Sequence, residues 1–481
     1  MKSSVTRGLA GLAGTLSLAL MLAGCINTPI PVDSTPPTSG PAANTSSTAP
    51  SPASAAPVNL TVVGLLPGAT AEAQAGLAAQ VADFQTKNPG ITITTKDYEW
   101  KATTFAADLA GGTLPEVFEI PFTDAKTLIA NGQIANMNAY LAQFPYNGGF
   151  NDNVLQYGKG QDGQVYAIPA KSVYGVGLHY NRDLFTKAGL DPDQPPTTWD
   201  EVRADAKAIA TATGMAGFCQ MSQSNTGGWQ LTVDTYARGG AMESLDAAGK
   251  ATATFANPAT KAALQFLKDL RWTDNSMGAN FTYDWGSINQ AFAAGQCGMY
   301  TSGQDVYTSL VQANAIDPAI YGLTMIPLEG PDAGVLGGGT LAAVSTKATD
   351  AQKAAAVKWI TYYYLNRYTS QEAAVAAAKL SQANKQPIGT PELPIFSAAS
   401  LKDYESWIQP YVNVPLEHMT GFTTKIGGAK LLNEPPVATQ DVYASLDPVV
   451  QAVLTDKNAN IDTLLADAAA VAQRAIDKAQ G

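Results

Sequence analysis

The chain of 481 residues offers few groups that could make or break a covalent bond in concert. It has two histidines, His179 and His418, and three cysteines, Cys25, Cys219 and Cys297. His179 sits inside the strand-like run Leu178-His179-Tyr180, so a histidine-based triad has little choice of partners. Neither His-Glu-x-x-His nor Gly-x-Ser-x-Gly occurs. Gly337-Gly338-Gly339 is not followed by the Lys-Ser or Lys-Thr of a phosphate loop. The 40 acidic residues leave many carboxylate pairs that could serve glycoside cleavage, and the sequence alone keeps that chemistry open. No pattern calls for a metal or a cofactor. The aromatic residues are more telling. Trp229 follows Thr226-Gly227-Gly228, a flexible approach that suits a binding loop, and Trp285 lies just ahead of a helix containing Phe292. Each could be a stacking platform or a core ring.

The elements that position these residues begin after a leader. Lys2 and Arg7 precede an apolar stretch from Leu9 to Ala23, too short to span a bilayer comfortably. It ends in Leu22-Ala23-Gly24-Cys25, which resembles the lipobox of bacterial lipoproteins, with residues 1–24 as signal peptide and Cys25 as the lipidated residue. Residues 26–57 are a tether, with 25 of 32 positions Pro, Ser, Thr or Ala and Asp33 the one charge. Such a segment buries too little apolar area to offset the entropy of ordering it, so its role is reach. If Cys25 carries lipid, Cys219 and Cys297 remain in an oxidising compartment, as a disulfide or as two buried thiols. Loss of Lys2 and Arg7 with the leader moves the net charge from −11 to −13. That balance, with no basic stripe, argues against nucleic acid as a partner.

Ordered structure is expected from Val58. Leu60-Thr61-Val62-Val63 reads as a strand, Ala73, Leu77, Val81 and Phe84 recur at helical spacing, and Asn88-Pro89-Gly90 stops that helix before the alternating Ile91-Thr92-Ile93-Thr94. A second helix ends at Gly111-Gly112, and Glu116-Val117-Phe118 opens another strand. This is βαβ grammar, which favours open, mostly parallel sheets flanked by helices. It recurs after the capping box Thr198-Trp199-Asp200-Glu201 and the helix start Asn257-Pro258. Two α/β bodies fit the length.

Several phrases, in shared order, resemble the extracellular solute-binding proteins that serve sugar importers, the maltose-binding-like group. They are Phe84 through Ile93, Gly112-Thr113-Leu114-Pro115-Glu116-Val117-Phe118, Asp162 through Pro169, Leu178 through Phe185, Ala188-Gly189-Leu190, Pro196 through Trp199, and Phe292 through Met299. Glu116 stands where Asp is usual. The resemblance implies a two-lobed, type II periplasmic-binding-protein-like α/β fold with three crossings of the chain. These are expected near Ala170–Tyr174, Val335–Gly339 and Leu393–Asp403. One lobe would hold 58–170 and about 340–395, the other about 173–335 and 404–481.

The resemblance further implies a monomer anchored outside the cell membrane by lipid on Cys25. It would close over a small carbohydrate and deliver it to the permease subunits of an ABC transporter. A sugar presents C–H faces that stack on aromatic rings and hydroxyls that pair with carboxylates or amides. By family position, Glu119 with nearby Phe122, and Tyr174 after the first crossing, face the cleft. Gln304 and Asp305 stand in a turn where many relatives carry an aromatic in place of Asp305, Gly338 and Gly339 let backbone approach ligand or hinge closely, and Trp407 follows the third crossing. With Trp229 and Trp285 these make the expected ligand set. A sensor or adhesin of the same fold, and an extracellular glycoside hydrolase, are the rival readings.

Overall fold

The computed structural model describes residues 56–142, 144, 149–170 and 173–480. The leader, Cys25, nearly all of the tether, and Lys171 beside the first crossing lie outside the described residues.

Strands β1 (Val58–Val63), β2 (Ile91–Lys96), β3 (Val117–Pro121) and β4 (Ala167–Pro169) precede β5 (Tyr174–Asn181), β6 (Ala216–Phe218), β7 (Glu243–Leu245) and β8 (Ala251–Ala253). There follow β9 (Cys297–Gly303), β10 (Tyr321–Met325), β11 (Val335–Gly338), β12 (Thr340–Val344) and β13 (Leu431–Asn433). One sheet has the order β2-β1-β3-β12-β4, the other β13-β11-β5-β9-β6 with β10 also on β5. β7 and β8 form a separate ribbon.

The period of two along a strand sends alternate side chains to opposite faces, and in the first sheet both faces are buried. Val117, Ile168, Ala342 and Val344 join one core with Phe84 and Trp359. Phe118, Ile120, Leu341 and Ala343 join another with Phe105 and Phe122. The second lobe has its own core around Leu178, Phe218, Phe292, Tyr300 and Leu446.

The two-lobed α/β architecture is present, but each sheet is mixed where a mostly parallel one was expected. β1 pairs in parallel with β2 and β3, whereas β12 is antiparallel to β3 and β4. β5 is antiparallel to β9, β10 and β11. The reason is connectivity: β5 and β12 each enter their sheet directly from a crossing, without the helix that a parallel return requires.

Consecutive strands β4 and β5 lie in different sheets, as do β11 and β12, which are joined at Gly339. The third crossing falls later than the expected Leu393–Asp403. Helix Ala398–Ile408 turns Tyr404 and Ile408 into the first lobe's core, Val412 packs against both lobes, and Val414 belongs to the second. Residues 404–411, assigned from sequence to the second lobe, therefore pack with the first.

Local signals are realised in detail. Thr198 and Glu201 form a reciprocal capping box, and Asn257 caps a helix with Pro258 in its first turn. Cys219 and Cys297 are joined by a disulfide with Cα atoms 6.0 Å apart, tying the end of β6 to the start of β9 across 78 residues.

Candidate functional site

The ends of β1, β2 and β3 point toward the second lobe, and a cavity of about 330 Å³ opens there. First-lobe residues Leu65, Tyr98, Glu99, Trp100, Glu119 and Tyr364 line one side. Asp305, Thr308, Ser309 and Gln312, on or just before helix Val306–Asn314, line the other. Ligand sites of open α/β sheets lie outside the carboxyl ends of their strands, and this cavity has that placement.

Glu119 is near the end of β3, opposite Ala342 of β12, and shares a face with Val117. That face is covered by the segment Thr361–Leu365, from which Tyr364 Oη donates to Glu119 Oε1 at 2.6 Å. At the cavity's far wall Arg367 pairs with Glu392 at 3.0 Å, and its guanidinium lies 4.7 Å from the Tyr368 ring centroid. Tyr98 Oη is buried with no hydrogen-bond partner among the described residues. Burial, followed by the negative charges of Asp108, Asp124 and Glu119, pushes the Tyr98 phenol up, so it remains a donor at neutral pH. Carboxylates, phenols, amides and one indole thus converge on a space that excludes bulk solvent from several sides.

Beside the cavity the lobes touch. Gln440 Nε2 of the second lobe donates to Thr123 Oγ1 of the first at 3.0 Å, and Lys101 Nζ lies 3.3 Å from Glu99 and 3.6 Å from Asp284. An aromatic tier flanks this contact. Phe122 stacks on Tyr157 at 4.5 Å, and Tyr174 meets Trp229 edge-on at 6.3 Å. Tyr443 Oη donates to Glu434 at 3.2 Å, and the Trp229 side chain reaches the same carboxyl. Burial, reinforced by Asp124 across the contact, pushes the Glu434 carboxyl up to about 8. Burial likewise pushes Asp124 up to about 7, against the opposing hydrogen bond from Trp100 Nε1 at 3.0 Å.

Of the residues singled out from sequence, Glu119 and Asp305 line the cavity together. Phe122, Tyr174 and Trp229 sit in the neighbouring tier. Gly338 and Gly339 lie close against the rings of this tier. A Cβ on Gly338 would lie 2.2 Å from Tyr174 Oη, and one on Gly339 would lie 2.3 Å from the Phe122 ring. Gln304 is fully buried and its amide is used within the hinge: Oε1 accepts from Gly175 N at 2.7 Å and Nε2 donates to Val173 O. Trp285 begins a helix capped by Asp284 and packs against the second core, outside the cavity. Trp407 packs against the first core while its helix neighbours Tyr404 and Ile408 reach the cavity. Cys25 lies outside the described residues.

Sequence reasoning missed Tyr98, Trp100, Tyr364, Arg367 and Glu434. The run Tyr98-Glu99-Trp100 directly after β2 was a usable signal, because a strand's carboxyl end is where such a fold places ligand contacts. His179 is a core residue. Its ring bonds Tyr321 Oη at 2.9 Å and Ser302 O at 3.1 Å, and desolvation lowers it to about 4, so it is neutral.

Residues 79–386 match the family model described as bacterial extracellular solute-binding protein. The sn-glycerol-3-phosphate-binding periplasmic protein UgpB of Yersinia enterocolitica is 26% identical over 283 residues, 54% of this chain and 60% of that protein. The chain therefore matches only about three fifths of the length of that curated relative. Among solved structures, an ABC transporter solute-binding protein from Thermotoga lettingae bound with α-D-tagatose superposes with a TM-score of 0.69. Its identity is 19%, over 87% of this chain and all of that one. UgpB from Mycobacterium tuberculosis in complex with glycerophosphocholine gives 0.64 at 19% identity, over 88% and 99%. Those two likenesses speak for the fold, and the family model for membership: this chain belongs to the bacterial extracellular solute-binding protein family.

Proposed function

We propose that the protein captures a neutral, hydroxyl-rich solute, a carbohydrate or polyol, between its lobes and presents it unchanged to an ABC importer outside the cytoplasm. The observation that carries this reading is a cavity walled by both lobes, with Glu119 and Tyr98 on one side and Asp305 on the other. Carboxylates accept from vicinal hydroxyls, phenols and amides pair with the rest, and Trp100 supplies an apolar face. The one basic group among the described lining residues, Arg367, is held by Glu392, which favours a neutral solute over an anion. The relatives' ligands, a glycerol phosphate, a sugar and a glycerophosphodiester, define the range to be tested. A solute bound at micromolar affinity needs about −8 kcal/mol, within reach of one buried, fully hydrogen-bonded sugar ring.

The remaining parts follow the same reading. Lipid on Cys25 holds the chain at the outer membrane face, the tether gives it reach, the permease reads the closed form, and the working unit is a monomer without a cofactor. Thermal-shift screening of mono- and oligosaccharides, polyols, glycerol 3-phosphate and glycerophosphocholine, followed by calorimetry, tests the reading. A stabilising sugar or polyol recovered with its mass unchanged supports it. Shortened saccharides, or stabilisation by the phosphorylated compounds alone, would overturn it.

A further inference from the structure

The Trp229 backbone is connected to the opposite lobe by an unbroken series of hydrogen bonds. Trp229 N donates to Asn225 O at 3.1 Å in the first turn of helix Thr226–Ala237. Asn225 Nδ2 donates to both O and Oε1 of Gln440, each at 3.1 Å. Gln440 Nε2 then crosses between the lobes to Thr123 Oγ1 at 3.0 Å. Thr123 adjoins Phe122, whose ring belongs to the same aromatic tier as Trp229.

The second-lobe half of this series is stiff. Asn225 holds a left-handed backbone with φ of 66°, at the mouth of the helix. Asp447 Oδ2 accepts from Asn225 N at 2.7 Å and Oδ1 accepts from Gly228 N at 2.9 Å. Gly228 permits direct backbone contact with helix Thr439–Thr455, since a Cβ there would lie 2.3 Å from Tyr443 O. Asn225, Gly228 and Gln440 are therefore fixed to one helix, and the Gln440 side chain is the part that reaches out of the lobe. A carboxamide is suited to this role, because it donates to a hydroxyl on one side while accepting from an amide on the other.

We propose that Gln440 is a positioning residue that couples contact between the lobes to the seating of the Trp229 ring. When the Thr123 hydroxyl meets Gln440, the amide orientation is fixed and with it the Asn225 turn that opens the Trp229 helix. When the lobes part, Gln440 loses one of its two partners and the turn loosens. What Trp229 then does for a solute rests on the capture reading above, whereas the coupling exists in the solute-free chain and is measurable there.

The test uses the full chain labelled with 5-fluorotryptophan and no solute. The chain has seven tryptophans, and Trp229→Phe assigns its resonance in the 19F spectrum. Thr123→Val and Thr123→Ala are expected to shift or broaden the Trp229 signal, to touch Trp100 through Asp124, and to leave the other five in place, which also shows that the fold survives. Thr123→Ser, which keeps the hydroxyl, is expected to leave it unmoved. In a Gln440→Ala background the Thr123 substitutions are expected to add nothing further. A Trp229 signal indifferent to Thr123→Val and Thr123→Ala would overturn the proposal, as would an equal response with and without Gln440. A failed sugar screen would leave this result standing, so the two readings fall separately.

Discussion

Glu119 and Asp305 face one cavity from opposite lobes, the first near the end of a β-strand and the second just before a helix. Neither wall alone surrounds the cavity, so on the capture reading affinity depends on both. Glu119→Gln and Asp305→Asn are each expected to weaken binding of the solute found by screening at least tenfold, about 1.4 kcal/mol. Calorimetry checks this. Because Glu119 also accepts from Tyr364 Oη, Tyr364→Phe serves as the control for a merely local disturbance. Wild-type affinity in both carboxylate variants would remove them from the solute's contacts.

Gly338→Ala is expected to destabilise the protein by about 1–3 kcal/mol, because its methyl would overlap Tyr174 Oη. Removing that oxygen with Tyr174→Phe should recover part of the loss, a coupling readable in a chemical-denaturation double-mutant cycle. Gly339→Ala meets the Phe122 ring instead and should not be rescued by Tyr174→Phe. Additive effects for Gly338→Ala and Tyr174→Phe would contradict the contact.

Stability is expected to fall as pH rises from 5 to about 8. Glu434 and Asp124 have carboxyls raised in the folded chain to about 8 and about 7, from 4.5 and 3.8. The folded state thus binds their protons more tightly than the unfolded one. Their contribution is complete below the unfolded values and is lost as pH passes the folded ones. Melting temperatures across this range should decline for the wild type and decline less for Glu434→Gln and Asp124→Asn. An unchanged slope in the double variant would sink this assignment.

Reduction of the Cys219–Cys297 bond, or Cys219→Ser with Cys297→Ser, is expected to cost about 2–5 kcal/mol, since it frees 78 residues of sequence separation in the unfolded chain. A melting temperature indifferent to reductant, with thiol counting to prove reduction, would count against a structural role.

Sequence spoke clearly where structure is local. The helix that Asn88-Pro89-Gly90 stops, the Thr198–Glu201 box and the Asn257-Pro258 start all rest on neighbouring residues. Pairing direction was less legible, because β5 and β12 take their places through crossings that leave no mark in their own alternation. The third crossing was misplaced for a related reason. The apolar face of helix Ala398–Ile408 reads the same whichever lobe it covers, and only Tyr404 and Ile408 in contact with the first core decide it. At the candidate site, Glu119 and Asp305 were expected by position and line one cavity, while Tyr364 and Glu434 come from segments far away in sequence that only folding brings near. The glycines allow a close approach to ligand or hinge, and which side chains approach them, Tyr174 at Gly338 and Phe122 at Gly339, is decided only by folding.

Hydrogen–deuterium exchange with and without a saturating sugar or polyol from the screen tests the central claim most directly. Slower exchange is predicted on both walls at once, around residues 98–100 and 363–367 of one lobe and 305–312 of the other. Protection restricted to a single lobe, or to a surface away from these segments, would contradict capture between them.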